Sequence, residues 1–333
     1  MGDYTDFNYS EVFEKFNGKN ILIIGDVMID TYLIGKVDRI SLEAPVPICD
    51  VERKEYKLGG ASNVAISIKE LGAIPIIFST IGDDDIGKIF MDLLEKNDMY
   101  KEGIVKSKIR KTTNKMRIIG NNCQMLRVDE ETKEFLDISS YLEMIKKLEI
   151  IIKKIKIDGI IFEDYDKGII NRVLIDRIID MCKGIPIYVD PKYKNFNLYH
   201  DIRLFKPNLN EFKDGLKLDW GNDGIDEVVK RNCKILHEER NIEKIMVTMA
   251  DRGMFVSVKD GESFHLKTKP RNIVDVSGAG DAVIALATLM DIEGCDISYT
   301  SFISNIAGGL VCEEIGVVPV NKYKTLREVD FVN

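Results

Sequence analysis

Short apolar runs rich in β-branched residues recur along the chain at Ile21–Ile24, Ile74–Ile81, Gly159–Phe162, Ile185–Val189 and Ile245–Thr248. Runs this short and this continuous predict strands buried on both faces, as in a parallel sheet. Between them, apolar residues recur at helical spacing over Ile86–Leu94, Tyr141–Ile155, Ile170–Met181 and Ile225–Leu236, which predicts helices with one apolar face. The alternation predicts an α/β fold, a doubly wound, mostly parallel sheet with helices on both faces. No repeat, low-complexity tract or Pro/Gly linker divides it, so residues 1–333 are expected to form a single domain.

Two regions break this rhythm. Tyr32–Tyr56 carries Pro45 and Pro47 and has no helical period, and Lys115–Val128 alternates around Gly120-Asn121-Asn122, a turn signal between paired strands. Both are expected as extended ribbons outside the main sheet, within 31–58 and 112–130. Together they would form a small β lid over the crevice at the strand ends, where open α/β sheets bind ligands. A further hairpin, turning at Asp260-Gly261, has an expected structural role.

The formal net charge of -8 argues against a nucleic-acid partner or an anionic membrane surface, both of which reward a basic face. The six cysteines and three histidines are scattered without metal-ligand spacing, so reduced thiols are expected rather than a disulfide framework or a zinc site. The N-terminal run Met1–Asp6 is polar and acidic, and no apolar stretch is long enough to span a membrane. A cytoplasmic enzyme is the expectation.

Candidate chemistry lies in the turns. Asp275-Val276-Ser277-Gly278-Ala279-Gly280-Asp281 precedes the apolar stretch Ala282–Met290. Glycines there let backbone N–H groups approach an anion, and the positive end of the following helix faces the same point. Asp281 would then stand where a hydroxyl meets a transferring phosphoryl group; an ordinary acidic helix start explains the same residues. The run Leu58–Asn63, with Gly59 and Gly60, precedes a helix over Val64–Leu71; its Asn63 suits vicinal hydroxyls, and a Gly-rich turn with a small capping residue explains the same run. Asp26 and Asp30 follow the first strand and fit sugar hydroxyls or turn capping equally. Asn208 and Glu211, three apart at a helix start, can share a face toward a hydrated magnesium ion or form a capping box. Val247–Gly253 is a strand end and turn suited to a nucleotide. Gly82–Ile89 spells G-x-x-x-x-G-K, but Ile89 replaces the required Ser or Thr and three aspartates would repel phosphate, so this run is read as an acidic helix start.

In this order, the G-G-x-x-N of Gly59–Asn63, the N-x-x-E of Asn208–Glu211 and the D-x-x-G-A-G-D of Asp275–Asp281 resemble the ribokinase-like (PfkB) carbohydrate kinase family over nearly the whole chain. Arg39–Pro47, Asn122–Asp129, Glu163–Gly168 and Asp190–Lys192 are similar to segments of the branch acting on D-glycero-β-D-manno-heptose 7-phosphate. The resemblance implies ATP-dependent phosphorylation of that sugar's anomeric hydroxyl, a step toward ADP-heptose and the lipopolysaccharide core, by a homodimer joined through β lids. No H-x-G-H motif of a nucleotidyltransferase occurs, so adenylylation is expected of another protein. A kinase of the same fold acting on another sugar, sugar phosphate or nucleoside, and a non-catalytic sugar-phosphate sensor, are the alternatives.

Carried over by position, the resemblance implies that Asp281 is the base and that Gly278, Ala279 and Gly280 form the anion hole. Asp30, Gly59, Gly60 and Asn63 would hold the sugar, with Gln124 and Asp164 beside it. Arg117, Arg127, Lys167 and Lys192 are candidates for the second phosphate, since cations, and planar guanidinium groups above all, suit it. Asn208 and Glu211 would order Mg2+ through water and, with Thr248, Gly253 and Asn305, hold ATP. Asp275 and Ser277 match positions where some relatives bind a monovalent cation such as K+. Ala282 departs from the usual Thr after G-A-G-D, and Met249-Ala250 from a smaller, glycine-containing turn.

Overall fold

The computed structural model describes Tyr4 and residues 7–219, 224–269 and 271–330; most of the acidic N-terminal run lies outside the described residues. In chain order the elements are α1 (Tyr9–Lys15), β1 (Asn20–Gly25), β2 (Val27–Ile40), β3 (Pro47–Gly60), α2 (Ala61–Glu70), β4 (Ile74–Gly82) and α3 (Asp85–Lys96). There follow β5 (Ile104–Ser107), β6 (Thr113–Gly120), β7 (Cys123–Glu130), α4 (Ile138–Lys154), β8 (Gly159–Glu163), α5 (Arg172–Met181), β9 (Ile187–Asp190) and β10 (Ile202–Phe205). The last are α6 (Leu209–Leu216), α7 (Ile225–Arg240), β11 (Ile242–Thr248), β12 (Met254–Val258), β13 (Ser263–Leu266), α8 (Ala279–Ile292), α9 (Ile297–Val311) and α10 (Lys322–Asp330).

The main sheet has the order β13-β12-β11-β10-β9-β8-β1-β4-β5. It is parallel except at β12 and β13, the hairpin that turns at Asp260-Gly261. Its strands are buried on both faces because alternate residues feed different cores. Ile21 and Ile23 of β1 join the core under α1, α2, α8 and α9, whereas Leu22 and Ile24 join the core under α4, α5, α6 and α7. The doubly wound expectation holds.

The lid is a separate four-stranded sheet of order β3-β2-β6-β7. Its β2 leaves the main sheet two residues after β1 and returns through β3 into α2, so the lid's root and the first crevice residues are one stretch of chain. Asn121 and Asn122 both take positive φ, 52° and 63°, as the tight β6–β7 hairpin requires. All six cysteines are free, and among the described residues no helix is long and apolar enough to cross a membrane. The Gly82–Ile89 segment is an acidic helix start, where Asp84 accepts from the Gly87 N–H at 2.7 Å. The helix expected from Ile170 begins at Arg172 instead, because Asn171 caps it by accepting from the Leu174 N–H at 3.0 Å.

Candidate active site

The crevice residues gather where β1, β8, β9, β10 and β11 end, and the lid root supplies the first of them. The buried Asp26 accepts the N–H groups of Tyr165, Lys167 and Ile169 at 3.0, 3.1 and 3.2 Å, fixing the loop after β8. Gly60 takes φ +60°, and a Cβ there would lie 2.4 Å from the Asp26 carbonyl oxygen; at Gly59 a Cβ would lie 2.3 Å from Asp30 Oδ2. These glycines allow β3 to close on the aspartates. Asp30 is buried, and its carboxylate is ion-paired with Arg117 from β6. Burial opposes the Arg117 charge, but Asp30 more than restores it.

The helix α8 faces this group. Gly278 caps it with φ 84°, a left-handed geometry natural to glycine. Asp281, in the first turn and buried, accepts from Asn63 Nδ2 at 2.6 Å and from the Tyr165 hydroxyl at 3.0 Å. Burial raises its proton affinity, with Asp190 adding to it, while the Asn63 and Tyr165 donors and Lys206 pull the other way. A Cβ on Gly280 would come 3.3 Å from Lys206 Nζ and 3.4 Å from Asp190 Oδ2.

On the far side, Asn208 and Glu211 form a capping box. Asn208 Oδ1 accepts from the Glu211 N–H at 2.9 Å, and Glu211 Oε2 accepts from the Asn208 N–H at 2.8 Å. The other Glu211 oxygen pairs with Lys192. Thr248 bridges to Asn208, its N–H donating to the Pro207 carbonyl at 3.0 Å. Gly253 turns with φ 95° close to the Leu266 carbonyl, and the Asn305 amide reaches the Lys267 carbonyl at 3.5 Å. Asp275 accepts from the N–H groups of Ser277 and Gly316 at 2.9 and 3.1 Å.

Asp30, Gly59, Gly60, Asn63, Gly278, Ala279, Gly280 and Asp281 are thus brought together, and Asn208, Glu211 and Thr248 form a second group. Other expectations need correction. Asp164 does not face the sugar residues: its carboxylate is taken by Asn195 at 2.9 Å and the Tyr199 hydroxyl at 3.0 Å, and burial pushes it up to about 7. Successive side chains at a strand end point to opposite faces, so Glu163 and Tyr165 reach toward Asp281 while Asp164 turns away. Lys192 lies beside Glu211 and over the Tyr165 ring, because β9 adjoins β10 and α6 rather than the lid. Gln124 and Arg127 sit on the exposed β7, with Arg127 paired to Asp129 at 2.9 Å, and Lys167 is held by Glu131 at 2.6 Å.

Sequence reasoning passed over Glu163, Tyr165, Asp190 and Lys206 as individual site residues. Each stands at or just after the end of a parallel strand, and that position was the available signal. The whole arrangement suits transfer of a proton from a hydroxyl beside Asp281 to its carboxylate, with the α8 N-terminus turned to an anion.

Residues 19–322 match the pfkB family carbohydrate kinases. The chain is 33% identical over 303 residues to Bifunctional protein HldE of Caulobacter vibrioides, covering 90% of this chain and 61% of that protein. It is 35% identical over 302 residues to the HldE of Helicobacter pylori strain HPAG1, covering 90% and 64%. The chain therefore spans less than two thirds of the length of these relatives. Among solved structures, phosphofructokinase-2 from Escherichia coli in complex with potassium superposes with a TM-score of 0.76 at 16% identity, over 95% of this chain and 99% of that one. Arabidopsis thaliana ribokinase complexed with ribose and ATP gives 0.68 at 15%, over 94% and 98%. At such identities these two establish the fold alone.

Proposed function

The chain belongs to the PfkB family of carbohydrate kinases, and from that premise we propose that it transfers the γ-phosphoryl group of ATP to the anomeric hydroxyl of D-glycero-β-D-manno-heptose 7-phosphate. The products would be heptose 1,7-bisphosphate and ADP. The observation that carries the reading is the contact of Asp281 with Asn63, which joins the lid-root residues to the N-terminus of α8. The likeness to HldE proteins supports a heptose as the sugar.

In the proposed reaction Asp281 accepts the proton of the anomeric hydroxyl as its oxygen bonds to the γ-phosphorus. The bond to the β–γ bridging oxygen breaks and its electron pair leaves with ADP. The N–H groups at Gly278–Gly280 stabilise charge on the transferring group, the main task in phosphoryl transfer. Asp30, Gly59, Gly60 and Asn63 hold the sugar, and Thr248, Gly253 and Asn305 lie toward the nucleotide.

Magnesium fits at Asn208 and Glu211. With Lys192 on one oxygen and the Asn208 N–H on the other, the Glu211 carboxylate keeps lone pairs for metal-bound water. Bound there, the ion would neutralise charge on the nucleotide phosphates. Asp275 and Ser277 are the proposed neighbours of a monovalent cation. The lids are the proposed dimer contact, since they expose Ile40, Val46, Met125, Leu126 and Val128. In this reading residues 1–333 act as one kinase domain in lipopolysaccharide-core biosynthesis.

One observation favours the second reading, a kinase for an unphosphorylated sugar: Arg117, Arg127, Lys167 and Lys192 all have carboxylate partners. Of the four, Arg117 alone pairs with a residue of the sugar group, and it is the candidate kept for the second phosphate. ADP release measured with ATP and magnesium against a panel of sugars, nucleosides and sugar phosphates separates the readings. Turnover confined to heptose 7-phosphate supports the first, turnover with free sugars the second, and no turnover with any acceptor contradicts both.

A further inference from the structure

Glu163 and Asp190 end β8 and β9 and Asp281 lies in the first turn of α8, yet the three converge, with one carboxylate oxygen of each lying within 4.8 Å of the others. All are buried, at 1%, 5% and 6% exposure, and so is Lys206, at 2%. Three negative charges so close cannot all persist in a dry site, and carboxylates in this position share a proton.

The cations facing the cluster are already assigned. Lys206, from the end of β10, binds Asp190 at 2.8 Å, and Lys192, beyond β9, is paired with Glu211. Asp281 has two donors, Asn63 and Tyr165. Glu163 has a buried Oε2 with no hydrogen-bond partner among the described residues. Nearby Tyr165 and Tyr199 are phenols that burial keeps protonated. The distribution of donors ranks the three groups: Asp190 is stabilised as an anion by a lysine, Asp281 by two hydrogen bonds, and Glu163 by the least.

We infer that Glu163 carries the proton that the three carboxylates share, and that it is a positioning residue which leaves Asp281 ionised as proton acceptor. This rests on the kinase reading only for its catalytic meaning. Burial, with Asp190 and Asp281 opposite, drives the Glu163 carboxyl well above the usual range, in agreement with the donor ranking. The proton belongs to the coupled cluster and resides mainly on Glu163. One negative charge in excess of Lys206 is removed, and Glu163 gains an O–H for its neighbours.

The test needs readouts that do not depend on activity. Infrared spectra of the protein at about pH 8 are expected to show a deuterium-sensitive carboxylic-acid band, lost in Glu163→Gln and moved in Glu163→Asp, which serves if the Gln variant does not fold. A folded-state carboxyl held above its unfolded value contributes stability that is full below the unfolded pKa and is lost as pH rises toward the folded one. The melting temperature of Glu163→Gln minus that of the wild type should therefore grow from about pH 5 to about pH 8. In turnover, Glu163→Ala is expected to lose about tenfold and Glu163→Gln, a neutral mimic of the acid, to recover most of it. Absence of the band, its persistence unchanged in the variants, a pH-independent melting difference, or Gln as damaging as Ala would each overturn the inference. A protein without kinase activity that still shows the band would sink the kinase reading and leave the shared proton standing.

Discussion

Asn63 Nδ2 donates to Asp281 Oδ2 across 2.6 Å, linking two residues 218 positions apart in sequence. The bond is charge-assisted and buried, a class worth about 1.5–3 kcal/mol. Asn63→Ala leaves the Asp281 carboxylate to Tyr165 and is expected to lower kcat/KM by roughly 10–100-fold. Steady-state rates varied in each substrate check this; an unchanged kcat/KM would mean that the link is idle in catalysis.

The two lid-root glycines should respond differently to the same substitution. A Cβ on Gly59 meets the end of the Asp30 side chain, whereas on Gly60 it meets the Asp26 backbone at a positive φ. Gly60→Ala is expected to destabilise the fold by at least about 1–3 kcal/mol, the scale of backbone strain. Gly59→Ala should keep most of the stability and raise the KM for the sugar. Urea denaturation and sugar-dependent kinetics on both variants decide; equal effects on stability would contradict the distinction.

Asp30 is buried and ion-paired with the half-buried Arg117. Removing the partner of a buried charge costs up to about 3–5 kcal/mol because that charge is left uncompensated. Arg117→Ala should therefore lower stability on that scale. Arg117→Met with Asp30→Asn should recover much of it. If Arg117 also meets the second phosphate, Arg117→Met with Asp30 retained raises the KM for heptose 7-phosphate by about tenfold or more while that for ATP stays within about twofold. Equal rises in both would remove Arg117 from the sugar-phosphate site.

The proposed lid contact gives a solution test. Sedimentation of the wild-type protein is expected to report a dimer, and Leu126→Lys with Val128→Glu, both on exposed positions of β7, a monomer of unchanged melting temperature. A wild-type monomer, or a dimer insensitive to these changes, places the contact elsewhere or removes it.

The sheet was legible because Ile21–Ile24 and its counterparts are continuous apolar runs, which tertiary context has little room to override. The helix α9 was not. Its Ser, Thr and Gly residues have poor helix propensity, yet Ile303, Ile306, Ala307 and Leu310 pack into the core beside α8, and packing decides. Among site residues, Gly278–Asp281 and Gly59–Asn63 were legible because a glycine turn and helix start are local. Tyr165 and Lys206 were not, since their approach to Asp281 and Asp190 depends on the order of β8, β9 and β10 in the sheet. Asp164 shows the converse, a residue placed by motif whose carboxylate the strand alternation turns to Asn195 and Tyr199; Lys192 is placed by the adjacency of β9 and β10 beside Glu211 and over the Tyr165 ring.

The central claim is that Asp281 takes the sugar's proton during phosphoryl transfer. The direct measurement is the turnover of Asp281→Asn at saturating ATP and heptose 7-phosphate, with binding of both measured by calorimetry. The expected result is a fall in kcat of about a hundredfold or more with binding nearly intact, as loss of a positioned base requires. Near-wild-type turnover would contradict the account.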